Sequence, residues 1–574
     1  MYCKNWIVKP TPDIDVIEHL TEVLSIDRIL SLLLAHRGIK DFEEAKAFFR
    51  PTYEHLHSPF LMKDMQRAID RISHAINFRE KILVYGDYDV DGTTSVAMVY
   101  SFLKKIYPNN VDYYIPDRYT EGYGVSIKGI DTAVAGNFKL IICLDCGIKS
   151  VDKISYANSK GIDFIVCDHH YPGTVLPSAF AILNPKRADC GYPYKELSGC
   201  GVGFKMLQAY AQKNGIPPES VNEYIDLVAV SIASDIVPID GENRVLAALG
   251  IQKLNENPAL GLKSIVKISG LEGSKRHVDD IVFKIGPRIN AAGRMKSGKD
   301  AVELLISGDE RAAKNAGEEI DRINSDRRKQ DSDITRQALR LLANDPEDEY
   351  RKTTVLFNPS WHKGVVGIVA SRLIETYYRP TVILTESNGF ATGSARSVEG
   401  FDLYKAIDTC SDLLENFGGH MYAAGLTMKK ENVEIFSRRF ENAVAATITD
   451  EQLVPNIIID AEIDFADINP KFVRILKQFS PFGPKNMAPV FLTRCVVDNG
   501  AAKIVGKCCE HLKLDLRQTN NPELFFPAIG FQLGELYHIV RTGEPFDICY
   551  TIEENTFRNE TKIQLQLKGI RVSI

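Results

Sequence analysis

The chain has 574 residues and a formal net charge of −6, and apolar residues make up 44% and charged residues 25% of it. This length is several times that of a typical domain, so we expect several cores joined by short linkers. The composition is that of an ordinary globular protein and leaves little room for long disordered tracts. The acidic balance argues against a protein that coats nucleic acid non-specifically, although it is compatible with a local basic groove.

The N-terminal sequence MYCKNWIVKPTPDIDVIEHL lacks the pattern of a signal peptide, and no stretch of 18 or more residues is uninterruptedly apolar. We therefore expect a cytoplasmic protein with no membrane association. The eleven cysteines are predicted to be reduced thiols. Cys143 and Cys146 have C-x-x-C spacing but no second pair at zinc-ribbon spacing, which favours strand packing over metal or redox chemistry.

The first predicted element is a helical extension over residues 1–55, which we expect to pack on the domain that follows it. That domain is predicted to be an α/β domain over residues 56–298. In this domain, short β-branched runs alternate with helical ones: KILVYGDYD, VAMVYSFLKKI, VDYYIPDR, KLIICLDCG, DFIVCDHH and YIDLVAVSIASDIV. Such alternation is typical of a parallel sheet.

The remaining elements are a connecting helix, a second α/β domain and a β-rich tail. Residues 299–345 are polar, periodic and almost free of Pro and Gly after Gly308, which predicts one long helix bridging two domains. Residues 346–455 form the smaller α/β domain, with strands TTVLFNP, PTVILT and GFATGSAR and with helices after the first and third. Residues 456–574 contain six strand-like runs, which suggest a small Greek-key barrel.

The most informative segment places Asp87, Asp89 and Asp91 alternately after a buried strand. Three carboxylates in a partly desolvated crevice repel one another unless cations neutralise them. An EF-hand-like calcium loop is disfavoured, because the terminal Glu of such a loop is absent and a strand precedes the triplet. The triplet therefore predicts a site for one or more cations.

Further ionisable residues follow other predicted elements. Asp145 ends the strand LIICL, Asp168, His169 and His170 end DFIVC, and Asp235 lies in the hydrophobic segment AVSIASDIV. The carboxyl ends of parallel strands line one crevice, so we expect these side chains to converge. A lone Asp-His-His could be a strand end whose polar groups are satisfied, but its combination with Asp145 and Asp235 favours a catalytic site.

This donor set also predicts the metal and the reaction class. Oxygen ligands with one imidazole and no thiolate suit Mn²⁺ or Mg²⁺ better than structural zinc. Two such ions about 4 Å apart can activate a water molecule and hold the oxygens of a phosphodiester. The residues therefore predict metal-dependent phosphoryl hydrolysis with two divalent ions.

The motifs GDYDVDGTTS, LDCG, DHH and SIASDIV occur in the order and approximate spacing of the DHH phosphoesterase family, which the chain resembles over roughly residues 55–574. The resemblance implies roles for the residues of these motifs. The implied metal ligands are Asp89, Asp91, Asp145, His169 and Asp235, with Asp87 either a direct ligand or a support for one. The implied catalytic residues are Asp145, His170, which contacts the scissile phosphate, and Asp168, which orients a histidine by accepting its ring proton.

Four further segments resemble the exonucleases of this family: GPRINAAGRM (286–295), PSWHKGVVGIVASRL (359–373), SARS (394–397) and GGHMYAAG (418–425). The implied substrate-binding residues are Arg288, Asn290, Arg294, Trp361, His362, Ser394, Arg396, Gly418, Gly419 and His420. Arginine suits a phosphate fork, and paired glycines allow backbone N–H groups to approach a phosphate. The block at 346–455 is accordingly identified as a DHH-associated domain, following a DHH catalytic domain at 56–298.

The tail resembles the OB-fold of the same exonucleases, and OB-folds bind single strands by stacking bases and tracking phosphates. The segment before it, FSPFGPKNMAPVF, departs from the family's usual Gly-Asn-Pro turn and carries Pro484-Lys485-Asn486-Met487 instead. Candidate groove residues are Lys503, Lys507, Lys513 and Phe557. A solvated surface role is the alternative for each of them.

The resemblance as a whole implies a processive exonuclease that degrades single-stranded DNA from 5′ to 3′ in recombination and DNA repair. Single-stranded DNA is the expected partner, a helicase or a single-strand-binding protein are candidate protein partners, and the chain is expected to be a monomer. One alternative is a family hydrolase of small substrates such as oligoribonucleotides, cyclic dinucleotides or pyrophosphate, which needs no OB-fold. Another is a non-catalytic DNA-binding relative, which should have lost motif residues that are all present here.

Overall fold

The computed structural model describes residues 4–345, 348–557 and 560–573, without the side chains of residues 349, 556 and 557. The chain forms two compact units. Unit 1 comprises Met1–Gly38, Asp326–Leu476 and Pro489–Ile574, and unit 2 comprises Ile39–Ser325 and Lys477–Ala488. Within the described ranges, no helix is both long and apolar enough to cross a membrane.

The strands and helices are numbered in chain order. The strands are β1 (Asn5–Val8), β2 (Lys81–Gly86), β3 (Val111–Tyr114), β4 (Phe138–Leu144), β5 (Asp163–Cys167), β6 (Ala181–Leu183), β7 (Thr354–Phe357), β8 (Thr381–Ser387), β9 (Phe390–Arg396), β10 (Leu414–His420), β11 (Ala423–Met428), β12 (Asn456–Ile459), β13 (Ala461–Glu462), β14 (Phe491–Asp498), β15 (Lys503–Val505), β16 (His511–Gln518), β17 (Asn521–Gly530), β18 (Phe546–Phe557) and β19 (Glu560–Val572). The helices are α1 (Ile14–Leu24), α2 (Arg28–Ala35), α3 (Phe42–Phe49), α4 (Met65–Asn77), α5 (Val90–Ile106), α6 (Ile127–Ala135), α7 (Val151–Ser159), α8 (Gly199–Asn214), α9 (Glu219–Asn222), α10 (Ile225–Ser234), α11 (Gly241–Glu256), α12 (Leu260–Ile268), α13 (Val278–Asp280), α14 (Gly286–Met295), α15 (Gly298–Leu305), α16 (Glu310–Ala343), α17 (Val366–Thr376), α18 (Leu403–Asp408), α19 (Val433–Ala445), α20 (Pro470–Leu476) and α21 (Tyr537–Val540).

Unit 2 is built on a five-stranded sheet in the order β3-β2-β4-β5-β6, in which all neighbouring strands are parallel. Alternate residues of β2 face separate apolar cores, with Ile82 and Val84 in one and Leu83 and Tyr85 in the other. Both faces of the sheet are therefore covered, which explains why its strands are nearly continuous hydrophobic runs. The predicted parallel-sheet α/β domain is confirmed.

Unit 1 contains a mixed sheet in the order β10-β11-β9-β8-β7, in which only the β7–β8 pair is parallel. The sequence predicted β7, β8 and β9 but not the β10–β11 hairpin. Strand β10 is mostly exposed and carries Gly418 and Gly419, so it lacks the alternation of apolar and polar residues that marks a half-buried strand.

The C-terminal barrel also lies in unit 1. Its strands follow the order β14-β18-β19-β17-β16, and pairing between β14 and β16 closes the ring, while β13 and β15 extend it. This closed five-stranded arrangement is that of an OB-fold, so the predicted all-β barrel is confirmed.

The N-terminal extension differs from its prediction. Strand β1 pairs in parallel with β12, and Lys9 Nζ lies 2.6 Å from Asp460 Oδ1. Residues up to Gly38 thus belong to unit 1, whereas we expected them to pack on the next domain in sequence. The local pattern could not indicate a partner more than 400 residues away.

The connecting helix also differs from its prediction. Residues 299–345 form α15 and α16, which are separated by residues 306–309 around Gly308, rather than one continuous helix. The Asp309 side chain accepts a hydrogen bond from Ala312 N at 2.7 Å and so begins α16 as its N-cap. The boundary between the two units lies within α16, between Ser325 and Asp326.

A buried ion pair ties three parts of unit 2 together. Lys205 on α8 is fully buried, and its Nζ lies 2.6 Å from Glu242 Oε1 on α11 and donates to His57 O at 2.8 Å. Glu242 also accepts from His57 N at 2.9 Å and from Tyr192 Oη at 2.7 Å. Because both charges are buried, removing one of them leaves the other without compensation.

We predict that Lys205→Met lowers the free energy of unfolding by about 3–5 kcal/mol, because it leaves the Glu242 carboxylate buried and uncompensated. The double variant Lys205→Met/Glu242→Gln should lose less stability than the single one. Urea titration followed by circular dichroism measures both. Lys105→Met is the matched control, since Lys105 pairs with Glu223 at 2.7 Å on the surface and such pairs contribute about 0–1 kcal/mol. Equal losses at the two sites would contradict the prediction.

Candidate metal centre

The predicted ligands follow three strands and one helix of unit 2. The ligands are Asp87, Asp89 and Asp91 after β2, Asp145 after β4, His169 after β5 and Asp235 after α10. The predicted catalytic residues Asp168 and His170 flank His169. Strands β2, β4 and β5 are parallel neighbours, so their carboxyl ends share one edge of the sheet. The structure brings these segments together, as the sequence predicted.

The centre of the site is the Nε2 atom of His169. It lies 3.2 Å from Asp145 Oδ1, 3.5 Å from Asp235 Oδ2 and 3.7 Å from Asp91 Oδ2. The ligand atoms of Asp91, His169 and Asp235 all lie within 4.8 Å of one another, and so do those of Asp145, His169 and His170. Three carboxylates thus lie within 3.7 Å of one imidazole nitrogen.

Asp91 is held in place by the start of α8. Its Oδ2 accepts from Gly199 N and its Oδ1 from Cys200 N, both at 2.7 Å, and Ser231 Oγ donates to Oδ1 at the same distance. These donors and the positive partial charge at the N-terminus of the helix hold the Asp91 side chain at the site. Ser198 caps the helix by accepting from Gly201 N at 3.1 Å.

Other polar atoms at the site have no hydrogen-bond partner. Asp87 Oδ2, Asp145 Oδ1 and both ring nitrogens of His169 are buried without one. Burial costs free energy for such atoms unless something else satisfies them. Their positions beside one another indicate a bound cation as the missing partner.

The electrostatics of the carboxylates agree with this interpretation. Burial, followed by the negative charge of neighbouring aspartates, raises the pKa of four groups: Asp87, Asp89, Asp145 and Asp235. Burial also lowers the pKa of His169 to about 4, so its ring is neutral and can act as a ligand. The donor set of carboxylate oxygens and a neutral imidazole therefore fits Mn²⁺ or Mg²⁺.

Backbone geometry fixes Asp145 in its position. It has a φ of 59°, a left-handed conformation that Asp tolerates better than most residues. A Cβ atom at Gly199 would lie 2.7 Å from the Asp145 side chain, so only glycine allows α8 to begin this close to the carboxylate.

His170 differs sharply from its neighbour His169. Its Nδ1 lies 2.8 Å from Asp168 Oδ1. Burial by itself would lower the pKa of His170, but this hydrogen bond and the negative charge of Asp168 outweigh burial and raise the pKa to about 9. Asp168 also accepts from the backbone nitrogens of Ile148, His169 and His170. The Asp168 oxygens thus accept hydrogen bonds that orient His170, and they are engaged in this way rather than by an ion.

The sequence analysis missed Tyr123. Its hydroxyl lies 3.3 Å from His170 Nε2 and donates to Asp145 O at 3.3 Å. Its loop also carries Arg118, whose guanidinium lies 4.8 Å above the ring of Tyr88. The loop follows β3, so its position after a parallel strand was a signal that could have pointed to it.

The segment GPRINAAGRM forms α14 beside the aspartate triplet. A Cβ at Gly293 would lie 2.3 Å from Tyr88 O, which shows how closely the helix approaches this turn. Asn290 Oδ1 is buried without a hydrogen-bond partner. Arg288 donates to Asp321 Oδ1 at 2.9 Å, so its guanidinium is already paired, and Arg294 accepts a hydrogen bond from Tyr119 through its carbonyl oxygen.

The predicted substrate-binding residues of unit 1 have mixed environments. Trp361 is buried and donates to Gln337 Oε1 at 3.0 Å, so its ring packs against α16 and has no exposed face for a nucleotide. His362 accepts from Gly364 N at 3.1 Å. Arg396 Nη1 lies 2.8 Å from Ser394 Oγ, so these two predicted residues adjoin each other on β9.

Gly418, Gly419 and His420 end β10 and are exposed. Gly419 has a φ of 156°, and a Cβ atom there would lie 2.3 Å from Ala423 O across the hairpin. A side chain at position 419 would therefore disrupt the pairing of β10 with β11. The three residues present backbone and imidazole groups to solvent.

Three family models match the chain. They are the DHH family N-terminal domain over residues 81–232, the DHHA1 domain over 331–446 and the RecJ OB domain over 459–569. The aspartate triplet and the DHH segment lie within the first match, and the Arg396 and Gly418–His420 segments within the second. The closed barrel of unit 1 coincides with the third.

Known proteins resemble the chain over nearly its whole length. It is 37% identical to the single-stranded-DNA-specific exonuclease RecJ of Bacillus subtilis over 98% of this chain and 70% of that protein. It superposes on the crystal structure of RecJ from Thermus thermophilus in complex with Mn²⁺ with a TM-score of 0.84 and 27% identity, over 99% of this chain and 79% of that one. It superposes on the Mg²⁺ complex of the same protein with a TM-score of 0.78 and 26% identity, over 99% of this chain and 78% of that one.

We predict that Asp145→Asn stabilises the metal-free protein by roughly 1–3 kcal/mol, because it removes one buried charge from a cluster of like charges. Asn also tolerates the left-handed backbone at this position. The same variant should lose most of the stabilisation that Mn²⁺ gives the unsubstituted protein. Thermal unfolding with EDTA and with added Mn²⁺ measures both effects.

The control is Asp152→Asn, which changes an exposed aspartate in the first turn of α7. It should leave the stabilisation by Mn²⁺ unchanged. An Asp145→Asn protein that Mn²⁺ stabilises as strongly as the unsubstituted protein would show that this carboxylate is not a ligand.

Proposed function

Because the chain belongs to the RecJ family of single-stranded-DNA-specific exonucleases in the DHH superfamily, we propose that its metal centre hydrolyses single-stranded DNA stepwise from the 5′ end. The chain is a metal-dependent exonuclease of recombination and DNA repair, with Mn²⁺ or Mg²⁺ as cofactor. The polarity, the role of each residue and the action as a monomer are parts of the proposal.

The observation that carries the proposal is the arrangement of Asp91, Asp145 and Asp235 around His169 Nε2, within 3.7 Å of it. We assign these four residues, with Asp87 and Asp89, as the ligands of two divalent ions. Ions bound there would supply the Lewis acidity that activates a water molecule and offsets the charge of the phosphodiester. Asp145 has a buried oxygen without a hydrogen-bond partner that lies 3.2 Å from His169 Nε2, which suits a ligand of the metal centre.

His170 is assigned to the scissile phosphate. Its pKa of about 9 keeps the ring protonated at neutral pH. Its Nε2 lies 3.3 Å from Tyr123 Oη. A protonated imidazole donates a charge-assisted hydrogen bond to a phosphate oxygen and stabilises the charge that builds up as the bond breaks. Asp168 fixes the ring and its protonation from the other side.

Arginine, amide and glycine groups are assigned to the rest of the nucleotide. In unit 2, Asn290 and Arg294 on α14 adjoin the aspartate turn. In unit 1, Arg396 and the adjoining Ser394 are assigned as side-chain donors to a phosphate. The backbone N–H groups of Gly418–His420 are assigned as further donors. Arg288 requires exchange of its Asp321 partner before it can bind substrate, which makes it the weakest member of this set.

The outer face of the OB-fold is assigned to the strand beyond the cleavage site. Lys503 on β15 is the direct cross-strand partner of Lys513 on β16, and like charges in that position repel unless an anion lies between them. Phe525 and Phe531, on and just after β17, are each about half exposed and lie on the same face as Lys513. Basic and aromatic residues together are what single strands require. Lys507 lies in the turn before β16, and the side chain of Phe557 lies outside the described residues.

We predict that His170→Ala slows the single-turnover chemical step by about 10²–10⁴-fold, because a positioned proton donor contributes that much. Mn²⁺ affinity should change little, since Asp145 and His169 remain. Rapid-quench kinetics and calorimetric titration with Mn²⁺ separate the two effects. His169→Ala is the matched control and should lose metal affinity first. The reverse pattern would mean that the roles of the two histidines are exchanged.

We predict that Lys503→Ala/Lys513→Ala weakens the binding of long single strands and reduces its salt dependence. The slope of log Kobs against log salt should become shallower by about 0.7 for each phosphate that the variant no longer neutralises. Cleavage of a very short oligonucleotide should be nearly unchanged, because such a substrate offers few phosphates beyond the bond that is cleaved. Fluorescence anisotropy over a range of salt concentrations measures the slope.

Lys263→Ala/Lys314→Ala removes two exposed lysines, from α12 and α16, and serves as the charge-matched control. Equal slopes for the two variants would remove the barrel face from the proposal. Point variants are better than deletion of residues 456–574, because that deletion would also take away the partner of β1 and part of unit 2.

A further inference from the structure

Residues Lys477–Ala488 belong to unit 2, although the segments before and after them belong to unit 1. We call this segment the strap. It contains Pro484-Lys485-Asn486-Met487, the stretch that departs from the usual family turn. Its contacts within unit 2 indicate a role in the metal centre.

One anchor of the strap is Arg244 on α11. This side chain is only 5% exposed, and its guanidinium donates to Phe479 O at 2.9 Å and Ser480 O at 3.1 Å on the strap. It also donates to Phe48 O at 3.1 Å and lies 3.6 Å above the Phe48 ring. One buried cation thus donates to carbonyl groups of two segments of unit 2.

The strap also closes on itself. Asn486 Nδ2 donates to Phe479 O at 2.8 Å and to Pro481 O at 2.7 Å, and the backbones of Gly483 and Asn486 bond to each other. Asn486 is buried, whereas Lys485 and Met487 on either side of it are exposed. The inward side chain of Asn486 therefore holds the shape of the strap.

The other anchor lies just after the metal ligand Asp235. Ile239 N donates to Pro484 O at 2.7 Å, and a Cβ atom at Gly483 would lie 2.4 Å from Ile239 Cδ1. Only Ile236, Val237 and Pro238 separate Ile239 from Asp235. The strap thus packs directly on the segment that leaves the metal centre.

That segment begins in a strained conformation. Ile236 has a φ of 60° and is 66% exposed, and a β-branched residue in the left-handed region is a genuine outlier. Such conformations persist only where the surrounding structure fixes them. The fixed end of this segment is Ile239, and the strap holds it there.

We propose that the strap is a positioning element for Asp235: by binding Ile239 it fixes the strained turn that directs the Asp235 carboxylate toward His169. This inference rests on the proposed function of the metal centre and deepens it. It assigns the strap to the geometry of the site rather than to contact with DNA.

The test is Gly483→Ala in the full chain, which places a methyl group against Ile239 and pushes the strap away from it. Mn²⁺ affinity and kcat on a very short oligonucleotide should fall by about 10–100-fold, the usual loss when support for a metal ligand is removed. Adding Ile239→Ala removes both atoms that lie within 3.0 Å of the methyl group, Cδ1 at 2.4 Å and Cγ1 at 2.9 Å, so the double variant should recover part of the loss. Near-wild-type Mn²⁺ affinity and kcat in folded Gly483→Ala would overturn the inference.

Asn486→Ala is a second route to the same result, because it loosens the strap without a steric clash, and it replaces Gly483→Ala if that variant does not fold. Its folding is checked by circular dichroism, and it should show the same loss of Mn²⁺ affinity. Lys485→Asn changes the exposed side of the strap and should alter neither Mn²⁺ affinity nor short-substrate kcat. If it weakens binding of long strands while Gly483→Ala and Asn486→Ala leave Mn²⁺ affinity intact, the strap is a DNA contact and the inference fails.

The unsubstituted protein separates this inference from the proposed function. If it binds Mn²⁺ and degrades single strands but is insensitive to the strap variants, only the role of the strap is wrong. If the unsubstituted protein neither binds Mn²⁺ nor cleaves single strands, the proposed function itself fails.

Discussion

Mutual repulsion among buried carboxylates is the constraint on which unit 2 depends. Asp87, Asp89, Asp145 and Asp235 all have raised pKa values because burial and their neighbours' charges disfavour ionisation. A fold that holds such a cluster together gives up stability unless cations bind to it. The surrounding structure has to supply the rigidity: the helix start at Gly199, the left-handed backbone of Asp145 and the strap each hold one side of the cluster.

The same edge of the sheet gives two adjacent histidines opposite properties. Burial without a hydrogen-bond partner lowers the pKa of His169 to about 4, whereas the hydrogen bond to Asp168 raises that of His170 to about 9. One ring is thus suited to a cation and the other to an anion, although the two are consecutive in sequence. Pairs of titratable groups with separated pKa values are the usual sign of divided roles in a catalytic site.

The two units divide the chain in a way that does not follow its order. Unit 2 carries the metal ligands and includes the strap, which comes from the C-terminal quarter of the sequence. Unit 1 carries the Arg396 pair and the basic and aromatic face of the barrel, and it includes the N-terminal strand β1. Each unit therefore contains residues from distant parts of the sequence, so that cutting the chain at a predicted domain boundary would damage both.

The sequence by itself determined the chemistry. Alternating apolar runs predicted the parallel sheet, and the rule that parallel strands end at one edge placed Asp145, His169 and the aspartate triplet together before any coordinates. The barrel could also be predicted from its short strands and turns, because the local periodicity of apolar residues reflects which side of an element is buried. These features depend on contacts within an element or on a general rule of topology.

The tertiary structure alone decided the features that depend on distant partners. Strand β1 pairs with β12, Arg244 binds the strap, and Trp361, a predicted substrate contact, packs against Gln337. No local pattern encodes such a partner, since a guanidinium or an indole has the same sequence signature whether it meets substrate or protein. The separate roles of His169 and His170 also required coordinates to explain them, because a pKa is set by burial and by hydrogen bonds that only the folded chain provides.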